Sequence, residues 1–420
     1  MSVRRSWLCA ALALFTVAWG ANMFAPLLQV YRSELTAVEV TGLYGAYAAG
    51  LVPALLVLGP VSDRWGRRLV VLPALLVSVI GSLALLLAGE SVAGLLIGRI
   101  LVGLAAGAAF GPGTAWLKEL SAYGGDRSPG ATRAAVALSS GFAVGPLVSG
   151  AIAQWLPGPE LTPYLTHVVL VAVLVPFIGR APETVLRPSP GGRRQRSGVR
   201  RAVLSRDFLV VVLPTAPWVF GAATTPFVVL PALVGLGDLR IAGAGAAAAL
   251  TLGTGVLVQS WARALSARAP VLPYRWGTVA LTLGMLSSAL TASTGLAVLL
   301  VPSSMLLGAA YGLLLVSGLT SVERLAAPGE LGVLTGVFYT LTYVGFAFPL
   351  LVSALAPVLS GPTVLLVAAV VGAASSTGTF AGAPARRGPR RAAGPAAVER
   401  HVGVEEGVRG GDRTDPRPSR

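Results

Sequence analysis

The stretch Gly59-Pro60-Val61-Ser62-Asp63-Arg64-Trp65-Gly66-Arg67-Arg68 decides how the rest of the chain is interpreted. It holds one acid, three arginines and two glycines, and a long apolar stretch lies on each side of it. The flanking stretches favour a lipid environment, whereas a cluster of charges favours water. The pattern is therefore typical of a tight turn between two membrane helices.

The composition of the whole chain agrees with this interpretation. Hydrophobic residues make up 54% and charged residues 12% of the 420 residues, and the mean hydropathy is +0.75, whereas soluble domains carry about 25% charged residues. A helix needs roughly 20 apolar residues to cross the hydrocarbon core. An all-α integral membrane protein is predicted, with twelve spans at 7–30, 40–60, 69–89, 93–117, 131–154, 162–180, 208–235, 241–262, 273–292, 296–320, 331–356 and 361–381.

The placement of arginine explains the net charge of +15. If the N-terminus is cytoplasmic, the basic residues of both tails and of the loops after even-numbered helices lie inside, and only Arg32 and Arg240 lie outside. Cytoplasmic loops of membrane proteins are enriched in basic residues. The charge thus predicts a multi-pass protein of the cell membrane with both termini in the cytoplasm. It favours contact with lipid headgroups over a nucleic-acid partner.

The loop pattern GxxxDRxGRR resembles the signature between the second and third helices of the major facilitator superfamily (MFS) of secondary transporters. The resemblance covers roughly residues 7–381 and implies twelve helices in two pseudo-symmetric six-helix bundles. It implies that Asp63 faces the start of helix eleven, near Gly332, and that Gly59 allows another helix to approach closely. The alternative is that the charges are solvated topology signals. The conformational latch implied by the resemblance comprises Gly59, Asp63, Arg64, Gly66, Arg67 and Glu119, the last as the partner of Arg67.

Arg99 is an intramembrane charge in helix four. Because burying a charge in a membrane is costly, such residues are functional by default. Its sequence context resembles the RxxxG motif of the family, whose arginine is associated with proton transfer. Since the position is close to the outer interface, a side chain that snorkels to water is the alternative.

Helix five carries the run SSGFAVGPLVSG at 139–150. Glycines four apart permit close helix contact, and a proline removes a backbone hydrogen bond and bends a helix. The run resembles the antiporter signature of twelve-helix drug:proton exporters, which often has a glycine where Ser149 stands, so Ser149→Gly is expected to be tolerated. The predicted hinge consists of Gly141, Gly145, Pro146 and Gly150.

Two polar segments divide the helices six and six. The predicted organisation is a six-helix bundle at 1–180, a cytoplasmic linker at 181–206, a second six-helix bundle at 207–381 and a disordered cytoplasmic tail at 382–420. The bundles resemble a repeat, because Gly103 and Gly107 of helix four recur in helix ten as Gly308 and Gly312. Parallel repeats of this kind place a substrate site between the halves.

A proton-coupled exporter usually needs a titratable group inside the bundle, and no Asp or Glu lies in the middle of a predicted span. The candidates for a proton site are His167 in helix six and Glu34 beyond helix one. A structural role for His167 is the alternative. Aromatic and neutral polar residues of the spans favour a hydrophobic or weakly polar substrate. The predicted substrate cavity contains Asn22, Gln29, Trp218, Gln259, Tyr339 and Tyr343.

The chain shows no metal-ligand spacing, no phosphate-binding glycine loop and no converging catalytic set, so no cofactor, no metal and no enzymatic activity are expected. The predicted function is secondary active transport of small amphipathic molecules by alternating access, with efflux coupled to proton entry. The expected partners are the small-molecule substrate, the lipid bilayer and protons, and a monomer is expected. The alternatives are a metabolite facilitator or importer, and a non-transporting membrane sensor or scaffold on the same fold.

Overall fold

A computed structural model describes residues 6–122, 130–185, 201–326 and 330–375, and all regular secondary structure within them is helical. Most of the predicted linker, at 186–200, and the predicted tail at 382–420 lie outside the described residues. The limits of the linker, the tail and the two bundles therefore stay predictions.

Twelve helices, labelled α1 to α12, follow one another at the predicted places. Nine in the described part are long and apolar enough to cross a membrane, two are shorter apolar helices, and α9 is the remaining one. They are α1 Trp7–Tyr31, α2 Ala37–Trp65, α3 Arg68–Ala88, α4 Val92–Ala122, α5 Gly130–Trp155, α6 Thr162–Ile178, α7 Phe208–Leu233, α8 Arg240–Arg268, α9 Leu272–Thr294, α10 Leu300–Leu325, α11 Leu331–Leu355 and α12 Gly361–Ser375. The prediction of an all-helical, multi-pass membrane protein is confirmed.

Three of the helices are interrupted. α1 breaks at Met23 and α11 passes through a 3-10 turn at Val344–Ala347. Pro26 and Pro349 follow these breaks, and each lacks an N–H for the carbonyl four residues earlier. The third, α7, contains two π-helical turns, Phe208–Val212 and Thr225–Val229. Breaks of this kind leave backbone carbonyls available to side chains of neighbouring helices.

The contact of α4 with α2 is repeated by that of α10 with α8. A β-carbon on Gly103 would overlap the carbonyl oxygen of Tyr47, and one on Gly308 would overlap that of Thr251. Gly308 follows Gly103, and Thr251 follows Tyr47, by almost the same number of residues. The same backbone contact therefore occurs in the N-terminal half (α1 to α6) and in the C-terminal half (α7 to α12), as the sequence repeat predicts.

The bundle has two ends that differ in their contacts. The motif end carries the turn between α2 and α3, and the opposite end carries the turns between α1 and α2 and between α7 and α8. Close contacts between the halves occur towards the opposite end, where Gly150 of α5 meets Ile241 and Gly245 of α8. The two ends are the places where the candidate functional residues lie.

Candidate functional site

A cluster of charges at the motif end is centred on Arg67. Its guanidinium donates hydrogen bonds to Ser62 at 2.9 Å, to Asp63, and to Oε1 of Glu119 at 3.2 Å from Nη2. Glu119 lies near the end of α4 and also accepts a hydrogen bond from the Thr184 hydroxyl. The pairing expected from the resemblance between Arg67 and Glu119 is thus present, and it ties the turn after α2 to α4.

Glu183, just after α6, belongs to the same cluster and was missed at the level of sequence. Its carboxylate accepts hydrogen bonds of 2.9 Å from the backbone N–H groups of Arg67 and Arg68, where α3 begins. A carboxylate at this position satisfies free N–H groups and the positive end of the helix dipole. Gly66 has a φ of 119°, and a β-carbon there would lie 2.5 Å from Glu183. Gly66 is therefore required both for the turn and for the approach of Glu183.

Hydrogen bonding moves the pKa values of Arg67 and Glu183 further from neutral pH. Burial alone would lower the pKa of Arg67, but its hydrogen bonds with Asp63 and Glu119 raise that pKa above its ordinary value. Burial raises the pKa of Glu183, and the backbone N–H groups of Val185, Arg67, Thr184 and Arg68 lower it by more, so that the pKa lies below its ordinary value. The motif end is held by charge-assisted bonds.

Asp63, Gly59 and Arg64 do not make the contacts expected of a latch in this structure. The Asp63 carboxylate pairs with Arg67 and is 64% exposed. A β-carbon on Gly59, or on Gly332 at the start of α11, would meet nothing within 4 Å. Arg64 lies over the exposed ring of Trp65. No close approach is seen at the β-carbon position of Gly59, although one turn earlier Leu56 of α2 lies 3.0 Å from a β-carbon placed on Gly336 of α11.

Arg99 is buried in the N-terminal half, with 1% of its surface exposed, so its side chain does not snorkel to water. It donates hydrogen bonds of 3.1–3.3 Å to the backbone carbonyls of Leu43, Ala21 and Tyr44. Its guanidinium carbon also lies 4.6 Å from the ring centre of Phe24. The cation therefore joins α4 to α2 and to the break in α1.

The predicted hinge of α5 divides into two contacts. Gly141 and Gly145 pack on the backbone of α1, where a β-carbon on Gly145 would lie 2.9 Å from the Cα of Trp19. The carbonyl oxygen of Pro146, by contrast, would lie 2.5 Å from a β-carbon on Gly245 of α8. One part of the run thus packs within the N-terminal half, and the other faces the C-terminal half.

Ser149 makes a hydrogen bond that argues against the expectation that Ser149→Gly is tolerated. Its hydroxyl is buried and donates to the carbonyl oxygen of Met23 at 3.0 Å, at the break in α1. Glycine would leave this carbonyl without that donor, at a cost of about 1 kcal/mol. Ser149→Gly is therefore expected to destabilise the protein rather than to be tolerated.

A side chain that sequence reasoning did not single out joins the halves at the opposite end. The amide oxygen of Gln154, near the end of α5, accepts hydrogen bonds of 3.2 Å from the backbone N–H groups of Ile241 and Ala242. These are free N–H groups at the first turn of α8. We call the contact of Pro146, Gly150 and Gln154 with the start of α8 the α5–α8 seam.

An aromatic cluster lies between the halves. We define it as Tyr44, Tyr47, Phe220, Tyr311, Tyr339, Tyr343 and Phe346. The ring centre of Phe346 lies 5.4 Å from that of Tyr44, 4.9 Å from that of Phe220 and 5.6 Å from that of Tyr343. Tyr44 and Tyr47 are buried, whereas Phe220, Tyr311 and Tyr339 are half-buried. The cluster therefore joins α2 to α7, α10 and α11 and keeps a partly accessible surface.

Only some of the predicted cavity residues meet in this cluster. Tyr339 and Tyr343 belong to it, and Gln259 of α8 interacts with Tyr311. Asn22 instead donates to the carbonyl oxygen of Phe142. The remaining two lie elsewhere: Gln29 is buried in α1 beyond the break, and Trp218 packs against Phe348.

The two candidate proton sites lie outside the aromatic cluster. His167 is fully buried within the N-terminal half, where Nε2 lies 3.1 Å from the carbonyl oxygen of Thr16 and Nδ1 lies 2.8 Å from the hydroxyl of Ser82. Because a carbonyl can only accept, Nε2 carries the proton and Nδ1 accepts from Ser82. Glu34 is exposed in the turn after α1. In the described residues no three His, Cys, Asp or Glu side chains form a group that could hold a metal ion.

Comparison with known proteins gives the family. A profile of the Major Facilitator Superfamily matches residues 10–350. The chain belongs to this superfamily. No curated protein sequence matches it.

Solved structures with the same fold include MFS-like transporters. The nucleoside transporter NupG is 15% identical, with a TM-score of 0.66 over 91% of this chain and 98% of that one. A POT family transporter in complex with 5-aminolevulinic acid is 10% identical, with a TM-score of 0.74 over 91% of this chain and 96% of the other. At sequence identities of 10% and 15%, the similarity shows a shared fold and nothing more. Family and fold together indicate a transporter rather than an enzyme.

Proposed function

We propose that this MFS protein exports small amphipathic molecules across the cell membrane by alternating access, as a monomer with both termini in the cytoplasm. The observation that carries the proposal is the unequal contact between the halves. Towards the opposite end, the α5–α8 seam and the contacts of Tyr44 and Tyr47 with Phe346 join them. At the motif end, Gly59 and Gly332 have open space beside them.

The arrangement fits one of the two states that alternating access requires. The arginines of the α2–α3 turn favour a cytoplasmic location of the motif end under the positive-inside rule. With this orientation, the seam at the opposite end and the open space at Gly59 and Gly332 support a state that is closed to the outside. The implied latch between Asp63 and the start of α11 would belong to the opposite state, in which the motif ends of α2 and α11 meet.

Coupling of efflux to proton entry is the second part of the proposal. Glu34 and His167 are its candidate groups, and entry of a proton at His167 requires α1, α3 and α6 to separate around it. A specific observation favours a second candidate, a facilitator without coupling: both nitrogens of His167 are already bound within the N-terminal half.

Transport by purified protein in proteoliposomes tests the proposal. Vesicles are loaded with a panel of aromatic and aliphatic amphipathic compounds, and release is followed with and without an imposed pH gradient. We expect release of at least one compound by the parent protein and none by Gly245→Leu, which cannot form the seam. A matched variant, Gly253→Leu, has open space beside it on the same helix and should transport normally.

The gradient separates the two candidates. Faster release with an inward proton gradient, accompanied by proton uptake, supports coupling, and His167→Ala and Glu34→Gln then locate the group. Equal release without a gradient and without proton movement contradicts coupling and leaves the facilitator. If no compound moves and the parent protein is folded, the transport proposal itself is wrong.

A further inference from the structure

Arg99 is a buried cation without an acidic partner among the described residues. Its hydrogen bonds go to backbone carbonyls of Leu43, Ala21 and Tyr44. In the part of the chain that the structure describes, every acidic side chain lies in a loop or within the terminal turns of a helix. The positive charge of Arg99 is therefore not neutralised by a carboxylate in the middle of the membrane.

This charge lies directly behind the aromatic cluster. The guanidinium carbon is 5.0 Å from the ring centre of Tyr47 and 5.7 Å from that of Tyr44. Tyr44 stacks on Phe346, which in turn contacts Phe220 and Tyr343. Two layers of rings thus connect Arg99 to the half-buried surface of Phe220.

The polar groups on that surface are neutral. Tyr311 and Tyr339 contribute hydroxyl groups, and Gln259 contributes an amide beside Tyr311. They can donate to or accept from a polar substituent, while the half-buried rings of Phe220, Tyr311 and Tyr339 provide apolar area. The surface suits a flat, apolar compound with one or two hydrogen-bonding groups.

From this arrangement, and resting on the proposed transport function, we propose that the aromatic cluster binds planar aromatic compounds that carry no positive charge. The ring spacings between Arg99 and Phe220 allow a separation of about 12 to 16 Å. At an effective dielectric constant of about 20, one unit charge changes the affinity of another over this distance by roughly five- to tenfold. Aromatic faces attract cations by about two- to fivefold at partly exposed sites. The repulsion by Arg99 is the larger of the two effects, so the surface favours compounds without a positive charge.

Three probes with one ring system test the charge preference. They are 2-naphthylmethanol, 2-naphthoate, and a naphthalene ring carrying a methylene-trimethylammonium group. Their binding to the purified full-length protein in detergent is measured by isothermal titration calorimetry, with detergent blanks to subtract partition into micelles. The alcohol is expected to bind a few-fold, and the carboxylate about tenfold, more tightly than the ammonium compound.

Matched variants locate the site. Phe220→Leu is expected to weaken binding of the alcohol and the carboxylate by about tenfold, because a stacked ring is lost. Trp218→Leu removes an aromatic ring two positions away that packs on Phe348 outside the cluster, and should leave binding unchanged. In Arg99→Gln, where it folds, the difference between carboxylate and ammonium should shrink.

The results of these binding measurements either support or overturn the proposed charge preference. Equal or tighter binding of the ammonium compound overturns it, as does absence of binding by all three probes, or loss of binding in Trp218→Leu but not in Phe220→Leu. Binding in the expected order without release from vesicles leaves the inference intact and contradicts the transport proposal. Release of an organic cation, with the ammonium probe bound best, leaves transport intact and overturns the inference.

Discussion

The motif end and the α5–α8 seam are held together by different chemistry. At the motif end, charged side chains bind other charges and backbone N–H groups, and all of the described partners of Arg67 and Glu183 lie within the N-terminal half. At the seam, glycine backbone meets a carbonyl oxygen and a neutral amide caps a helix of the other half.

From this difference we expect the contacts at the motif end to persist and those at the seam to open during transport. Charge-assisted bonds from a fixed carboxylate stabilise one arrangement of α2, α3, α4 and the chain after α6. A seam of small residues buries little polar surface, so that opening it costs little and exposes few unsatisfied groups. We therefore expect substitutions within a half to change stability, and substitutions between halves to change the balance of states.

Gly145→Leu is expected to have the largest effect. The side chain would collide with the backbone of α1 at Trp19, and overpacking of this kind costs about 3 kcal/mol or more because backbone must move. Thermal unfolding in detergent, followed by fluorescence, should show little folded protein. Gly59→Leu is the matched control, and it should unfold like the parent because nothing lies within 4 Å. An equal loss of folded protein in both variants would contradict the conclusion that Gly145 is tightly packed and Gly59 is not.

Gly245→Ala should leave folding intact but shift the balance of states. Its methyl group would lie 2.5 Å from the carbonyl oxygen of Pro146 and push the halves apart at the seam. Transport is expected to fall about tenfold, corresponding to roughly 1.4 kcal/mol. Spin labels on engineered cysteines of α5 and α8, in a Cys9→Ser background, should report a longer distance. An unchanged distance with normal transport would show that the seam is not a contact that opens.

Removing the hydrogen bonds of Gln154 should change the balance of states by less than Gly245→Ala does. Gln154→Leu removes the acceptor for two N–H groups at the start of α8, which is worth about 1 kcal/mol, or roughly a fivefold change in a two-state ratio. Gln154→Glu keeps an acceptor and adds a charge that the helix terminus favours. The same distance measurement should therefore move in opposite directions for the two variants. Movement in one direction for both would disprove the role of the cap.

The pH dependence of Glu183 should give the smallest effect. Its pKa is lowered in the folded protein, so its contribution to stability is present above the ordinary carboxyl pKa and is lost as pH falls through the folded pKa. The melting temperature of Glu183→Gln should lie a few degrees below that of the parent at pH 7, and the two should converge as the pH falls through the folded pKa of Glu183. The exposed Glu90→Gln serves as control and should follow the parent at every pH.

The positions of the helices could be predicted from the sequence because each helix needs only a long apolar stretch. The pairing of Arg67 with Glu119 could be predicted because the loop pattern is specific. Glu183 could not be found in this way, since its carboxylate binds backbone N–H groups that leave no mark in the sequence. Asn22 and Gln29 lie outside the aromatic cluster, on either side of a break at Met23 that the apolar sequence of α1 does not reveal. The rings around Phe346 come from four helices, and only their packing brings them together.

The break in the first helix has a consequence for the order in which the chain assembles. Its carbonyl at Ala21 receives a donor from Arg99, and its carbonyl at Met23 receives one from Ser149. During synthesis both donors emerge from the ribosome after the first helix has entered the membrane. The first helix therefore obtains these two donors only after α4 and α5 have been inserted. Nascent chains halted before Arg99 should hold a more readily extracted first helix than chains halted after α5.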